Sequence, residues 1–308
     1  MALLSLRRTD SAGTVRASGR QPHSTLERPG PQPPTSDDAL RTLRNLPPLS
    51  VVATYLLQQV ANENVAFRKI ADVIRSDAKL GADMLRITNS ALFGPRFAVT
   101  GVLHALAMLG LDRVRSLITT AALKHLIGGG EGTPALVRCW RHNLACAFVA
   151  EEASRKTGLD RDFAYTAGLL HDIGRLSMIT AWRKPYAALL DSAKPDAPDL
   201  LPLEREQFGI PHTRAGFALL QDWRLPVIFA EIADRHHDPP GEDLDVLAVV
   251  QFACAFADTL GFGVVDRPMA LTEPEPVSPL RKLIAGSLGE ARDEVATRIN
   301  TLECCLEI

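Results

Sequence analysis

Gly168-Leu169-Leu170-His171-Asp172-Ile173-Gly174-Arg175 joins an apolar helical pattern to a His-Asp pair, two side chains that ligate metals. Apolar spacing of three and four runs from Arg161 to Met178. It follows Asp160, a side chain suited to an N-cap, so one helix is expected over residues 161–178. Gly168 and Gly174 lie three residues either side of His171, on its helical face, and would leave room for something to approach.

The same periodicity extends outward from this stretch. Helices are expected downstream at residues 181–193, 203–207, 211–221, 226–237 and 245–260, and upstream at 134–156, ended by Gly158. Pro211 and Pro226 suit first-turn positions. Gly128-Gly129-Gly130 followed by Glu131-Gly132 breaks this block from an earlier one, with helices at 49–60, 65–76, 79–89, 102–109 and 112–126. No run alternates with period two, so the fold class is all-α. Residues 1–38 are rich in Ser, Pro, Gly and Arg, and are expected to form a disordered tail. Asp266 to Pro279 holds four prolines and reads as a linker, before an amphipathic helix over 280–303 that packs back or binds a partner. The chain thus divides into a tail (1–38), a body (39–262, with lobes 39–130 and 131–262), and a Pro-rich linker with a C-terminal helix (263–308).

Charge excludes some functions. The 308 residues carry 34 basic and 36 acidic side chains, so a formal charge of −2 gives no overall attraction to nucleic acid or anionic membrane. Five arginines in the tail are offset by four acidic residues, and no nucleic-acid partner is expected. Cys139, Cys146, Cys254, Cys304 and Cys305 show no CxxC spacing and read as reduced core thiols of a cytoplasmic protein. Ala2 to Leu6 is too short for a secretory h-region. Val246 to Val265 approaches membrane-spanning length but contains Gln251 and Asp258, which favours a buried core helix and no membrane association.

The chemistry-bearing residues cluster. His142, His171, Asp172, His212, His236, His237 and Asp258 all fall in the second block, and five imidazoles with two carboxylates suffice for two first-row metal ions. Any one of these histidines alone would sooner be a hydrogen-bonded helix residue, and His236-His237 also suits a helix C-terminus. Asp258 stands among Phe252, Ala253, Cys254, Ala255, Phe256 and Ala257, and if buried there it must be paired or coordinated.

Residues 39–262 resemble the HDOD domain, an HD-related output domain of bacterial signalling proteins. The resemblance is carried first by Leu46-Pro47-Pro48-Leu49, Ile70 to Asp77, Leu85 to Gly94 and Ala105 to Gly110. In the second half it rests on Trp140-Arg141-His142, Gly168 to Gly174, Phe208 to His212, Trp223 to Pro226 and His236-His237. Asn89-Ser90 has a local explanation, a helix-ending Asn with a Ser bonding the turn. The resemblance implies an N-terminal helical lobe packed on an HD-type helical lobe. It also implies one ion held by His142, His171, Asp172 and Asp258, with Asp172 bridging to a second held by His212, His236 and His237. Iron or manganese would be the metal.

The wider HD superfamily comprises metal-dependent phosphohydrolases. Its cyclic-dinucleotide phosphodiesterases carry a lysine after the HD-x-Gly element and Gly-Tyr-Pro after the paired histidines. Here those positions read Arg175 and Asp238-Pro239-Pro240-Gly241. Arg175 would clamp a phosphate as a bidentate donor, or be an exposed helix charge. The expected function is therefore a regulatory signal-transduction module that acts on a signalling partner in trans, its pocket open to a metal or a phosphoester or nucleotide ligand. A homodimer is compatible with it. The alternative is an active metal-dependent phosphohydrolase in which Asp172 and Arg175 are catalytic.

Overall fold

A computed structural model describes residues 34–59, 67–95, 98–127, 132–193, 200–265, 280, 282, 284 and 286–307. Among these, fifteen helices form and no strand does. The triple glycine, most of the expected tail (1–33) and all of the expected linker (266–279) lie outside the described residues.

Local chemistry starts and stops the helices. The first, α1 (Ser36–Arg44), was not anticipated and begins before residue 38: Thr35 and Asp38 form a capping box, and Ala39 and Leu43 bury one side of it against α9 (Ile173–Ala181) and α12 (His212–Asp222). Then come α2 (Val51–Gln58), α3 (Phe67–Arg75) and α4 (Ala78–Thr88), the last capped by Asp77. Asn89 ends α4 and clamps the following loop, its Nδ2 donating to the Leu85 and Val99 carbonyls and its Oδ1 accepting from the Val99 amide at 2.7 Å. That is the structural role the sequence suggested for it. Next are α5 (Val102–Leu109) and α6 (Leu111–Leu126).

The axis of the fold is α7 (Pro134–Thr157), opened by a Thr133 cap with Pro134 in its first turn and closed by Gly158 at φ 80°. It is buried on nearly every side because α8 (Arg161–Leu170), α14 (Val246–Thr259) and α15 (Leu288–Leu306) all pack on it. Helix α6 lies on α8 through paired hydroxyls, Ser116 with Thr166 at 3.1 Å and Thr120 with the Tyr165 phenol at 3.0 Å. The remaining helices are α10 (Arg183–Ser192), α11 (Leu201–Phe208) and α13 (Val227–Arg235). No helix among the described residues is long and apolar enough to cross a membrane.

One expected helix is broken. Residues 161–178 form α8 and α9, because His171 ends the first and Asp172, at φ −108° and ψ 27°, starts the second. The two flanking glycines serve this junction and do not open it. A Cβ on Gly168 would lie 2.9 Å from the Cys146 carbonyl of α7, and one on Gly174 would lie 1.9 Å from the His212 carbonyl of α12. They are contact points between helices.

The C-terminal helix starts at Leu288, after a Ser287–Glu290 capping box, and packs back. Its Val295, Ile299 and Leu302 face α7 and α4. Arg298 pairs with buried Glu151 of α7 and lies 4.0 Å over the Phe148 ring. Burial opposes ionisation of Glu151, but Arg298 and Arg113 outweigh it and hold the carboxyl at about 2, below its usual 4.5. A folded-state pKa lowered in this way stabilises above pH 4.5, and the contribution, on the order of 3 kcal/mol, is lost as pH falls toward 2. Urea unfolding of wild type and Glu151→Gln between pH 6 and 2.5 is expected to converge at the acid end (~pH 2.5); parallel curves would count against this role for Glu151.

Candidate metal centre

Five helices bring their chemistry to one place. His142 comes from α7, His171 and Asp172 from the α8–α9 break, His212 from the first turn of α12, and His236-His237 from the end of α13. The rings form a continuous row: His142 to His171 is 5.5 Å between centroids, His171 to His236 is 4.8 Å, and His236 to His237 is 4.3 Å.

Four imidazoles are oriented the same way. Nδ1 donates to the Phe262 carbonyl from His142 (2.9 Å), to Gly168 from His171 (2.7 Å), to Ala233 from His236 (2.9 Å) and to the Glu204 carboxylate from His212 (2.7 Å). Each acceptor is an oxygen, so Nδ1 is the donor and Nε2 is the nitrogen left for a metal, the tautomer a metal-ligating histidine needs. The His212 Nε2 accepts from Arg175. Against burial, Cys254 and Asp258 push His142 up to about 9, so a metal there would displace its proton. Buried His171 Nε2, Asp172 Oδ1 and His236 Nε2 have no hydrogen-bond partner among the described residues. Such orphans are costly, and cations bound beside them would satisfy them. The residues therefore fit a metal.

Two groups of donor atoms result, within each of which all atoms lie within 4.8 Å of one another: His142, Cys146, His171 and Cys254, and then His212, His236 and His237. Asp172 Oδ1 serves the second, 3.3 Å from His212 Nε2 and 4.0 Å from His236 Nε2. Asp258 departs from expectation. It is exposed, and its carboxylate lies 3.5 Å from His142 Nδ1, on the side of the ring turned away from the thiols. Phe252, Ala253, Phe256 and Ala257 take the buried positions of α14, and Cys254, one turn before Asp258, meets the same His142 ring at Nε2. Cys146 and Cys254 are free thiols, as expected, the first buried in the core and the second partly buried, and both also face His142. The available signal was the spacing of four between His142 and Cys146, which places them on one helix face.

Arg175 is neither an exposed charge nor a free clamp. It is buried, its Nε donating to Asp172 Oδ2 (2.7 Å), Nη2 to His212 Nε2 (3.0 Å) and Nη1 to Glu204 Oε1 (3.2 Å). Glu204 was missed because a glutamate in a short polar helix reads as solvated. It also accepts from the Tyr186 hydroxyl (2.6 Å) and the His212 amide (2.8 Å). Burial opposes its charge, yet His212 and Arg175 hold its pKa at about 2. Burial likewise opposes the Asp172 carboxylate, and Arg175 with the neighbouring histidines keeps it well below the usual carboxylate range. Burial, then the neighbouring His171 and His237, push His236 well below the usual imidazole range, so it stays neutral.

The family model of the HDOD domain matches residues 46–239. An uncharacterised protein of Treponema pallidum (strain Nichols) is 23% identical over 215 residues, which is 68% of this chain and 41% of the relative, so the chain spans about two fifths of that relative's length. Three solved structures share the fold. An HDOD domain protein of unknown function from Geobacter sulfurreducens superposes with a TM-score of 0.67 at 24% identity, covering 88% of this chain and 98% of that one. A Shewanella amazonensis SB2B protein provisionally named a phosphohydrolase gives 0.64 at 22%, covering 87% and 97%. A Marinobacter aquaeolei VT8 protein provisionally named for signal transduction gives 0.67 at 20%, covering 89% and 61%.

Proposed function

The chain belongs to the HDOD domain family, and from that premise we propose that it is a cytoplasmic signal-transduction output module acting on a partner protein in trans. One observation carries this reading. The centre is closed from within: His142, His171, Asp172, Arg175, His212 and His236 are 1–4% exposed, and the Arg175 guanidinium spends its donors on Asp172, Glu204 and His212. A phosphoester entering this site would find its one buried arginine already engaged.

An iron or manganese ion would be held by Asp172, His236 and His237, with His212 joining only where Arg175 gives up its hydrogen bond to Nε2, and when bound would supply Lewis acidity and an activated water. Arg175 fixes Asp172 Oδ2 and leaves Oδ1 without a hydrogen-bond partner, while Glu204 fixes the tautomer of His212. In the module these residues serve as a joint among α8, α9, α12 and α13. The rival phosphohydrolase reading draws on His237, whose exposed ring gives the nitrogen cluster one edge at the surface.

Elemental analysis of protein purified without chelator, beside Asp172→Ala, tests the assignment. Iron or manganese is expected in the wild type and absent from the variant, with helical circular dichroism retained. Equal content in both would remove Asp172 from the centre.

A further inference from the structure

Cys146 and Cys254 are free thiols from different helices, and both sulfurs face the same imidazole nitrogen: each Sγ is 3.5 Å from His142 Nε2. His171 Nε2 belongs to the same group and is buried without a hydrogen-bond partner. Thiol hydrogen bonds alone do not account for this arrangement. However the two thiols and His142 share their protons, His171 Nε2 goes unsatisfied.

We propose that His142, Cys146, His171 and Cys254 form a closed, four-ligand zinc site, separate from the nitrogen-and-carboxylate group around Asp172. The spacing fits. With Zn–S of about 2.3 Å and Zn–N of about 2.0–2.1 Å, tetrahedral coordination sets sulfur and nitrogen about 3.5 Å apart. Both histidines donate Nδ1 to backbone carbonyls, so their Nε2 atoms are ready as ligands without further rearrangement. Two thiolates balance the dication, which leaves a buried site without net charge. Four protein ligands leave no open position, so the zinc is structural: it ties α7, through His142 and Cys146, to the end of α8 and to α14. Thiolates select zinc, whereas the group around Asp172 offers only imidazole and carboxylate. The proposal does not depend on the signalling role.

The test uses the full chain. About one zinc per chain is expected from protein purified without chelator. It should be lost in Cys146→Ser and in Cys254→Ser but kept in His237→Ala, which removes a ligand of the other group. Replacement by cobalt(II) in the wild type should give a thiolate-to-cobalt charge-transfer band with the intense visible bands of a tetrahedral site. This second readout stands even if the serine variants fail to fold. Cobalt-loaded wild type without the charge-transfer band overturns the proposal, as does a Cys146–Cys254 disulfide in freshly purified protein, or zinc retained in both serine variants.

Discussion

Arg175→Met is expected to lower the unfolding free energy by about 3–5 kcal/mol, the usual cost of removing one partner from a buried ionic cluster. Asp172 and Glu204 would each lose their guanidinium contact, and His212 Nε2 its donor, in a place almost closed to water. Glu204 is held at about 2 partly by Arg175, so in the variant its pKa should rise toward its usual 4.5. The deficit should therefore shrink as pH falls from 7 toward 4, because the stranded carboxyls become neutral. Arg175→Lys should restore little, since one ammonium cannot reach three partners along the directions the guanidinium takes. Urea midpoints across pH measure this. A change within about 0.5 kcal/mol at pH 7, the range of an ordinary surface substitution, would show that the cluster does not hold this part of the fold.

Gly174→Ala should be comparably damaging through geometry alone. The added Cβ would stand 1.9 Å from the His212 carbonyl and 2.6 Å from the Gly216 amide, both backbone atoms that no rotamer change can move. Helices α9 and α12 must separate, carrying His212 away from Glu204 and Arg175. The expected cost is about 3 kcal/mol, at the upper end of overpacking penalties, together with loss of any ion bound at Asp172. Gly158→Ala is the comparison. There φ is 80° and nothing lies within 4 Å of the new Cβ, so only the left-handed backbone penalty of about 1 kcal/mol applies. Equal thermal shifts for the two variants would contradict the contact role assigned to Gly174.

How much of this was legible in the sequence depended on how local its cause was. Helix α7 could be read almost to the residue, because Pro134 and Gly158 punctuate a long apolar pattern, and α5 matched at both ends. The α8–α9 break could not. The apolar spacing runs straight across it, and beside the local bond of His171 back to Gly168 the turn rests on a tertiary contact, α9 docking on α12 at Gly174. At the site, the five histidines and Asp172 do come together, because imidazoles and a carboxylate crowded into one helical block are visible as a pattern. Asp258 and Arg175 sit elsewhere than expected, Glu204 was passed over, and Cys146 and Cys254, free thiols as expected, were not seen to face the histidines. Their roles depend on which face of a helix is inward, and for α14 and α11 sequence neighbours do not tell that.

On the function proposed above, the His/Asp centre of this HDOD protein serves to organise a module and phosphoester turnover is not its task. Hydrolysis of a generic phosphodiester and of cyclic dinucleotides, by manganese- or iron-loaded wild type and Asp172→Ala side by side, tests it most directly. The account predicts that both proteins stay at the metal-only background. Turnover by the wild type that disappears in Asp172→Ala would contradict it and make the chain a phosphohydrolase.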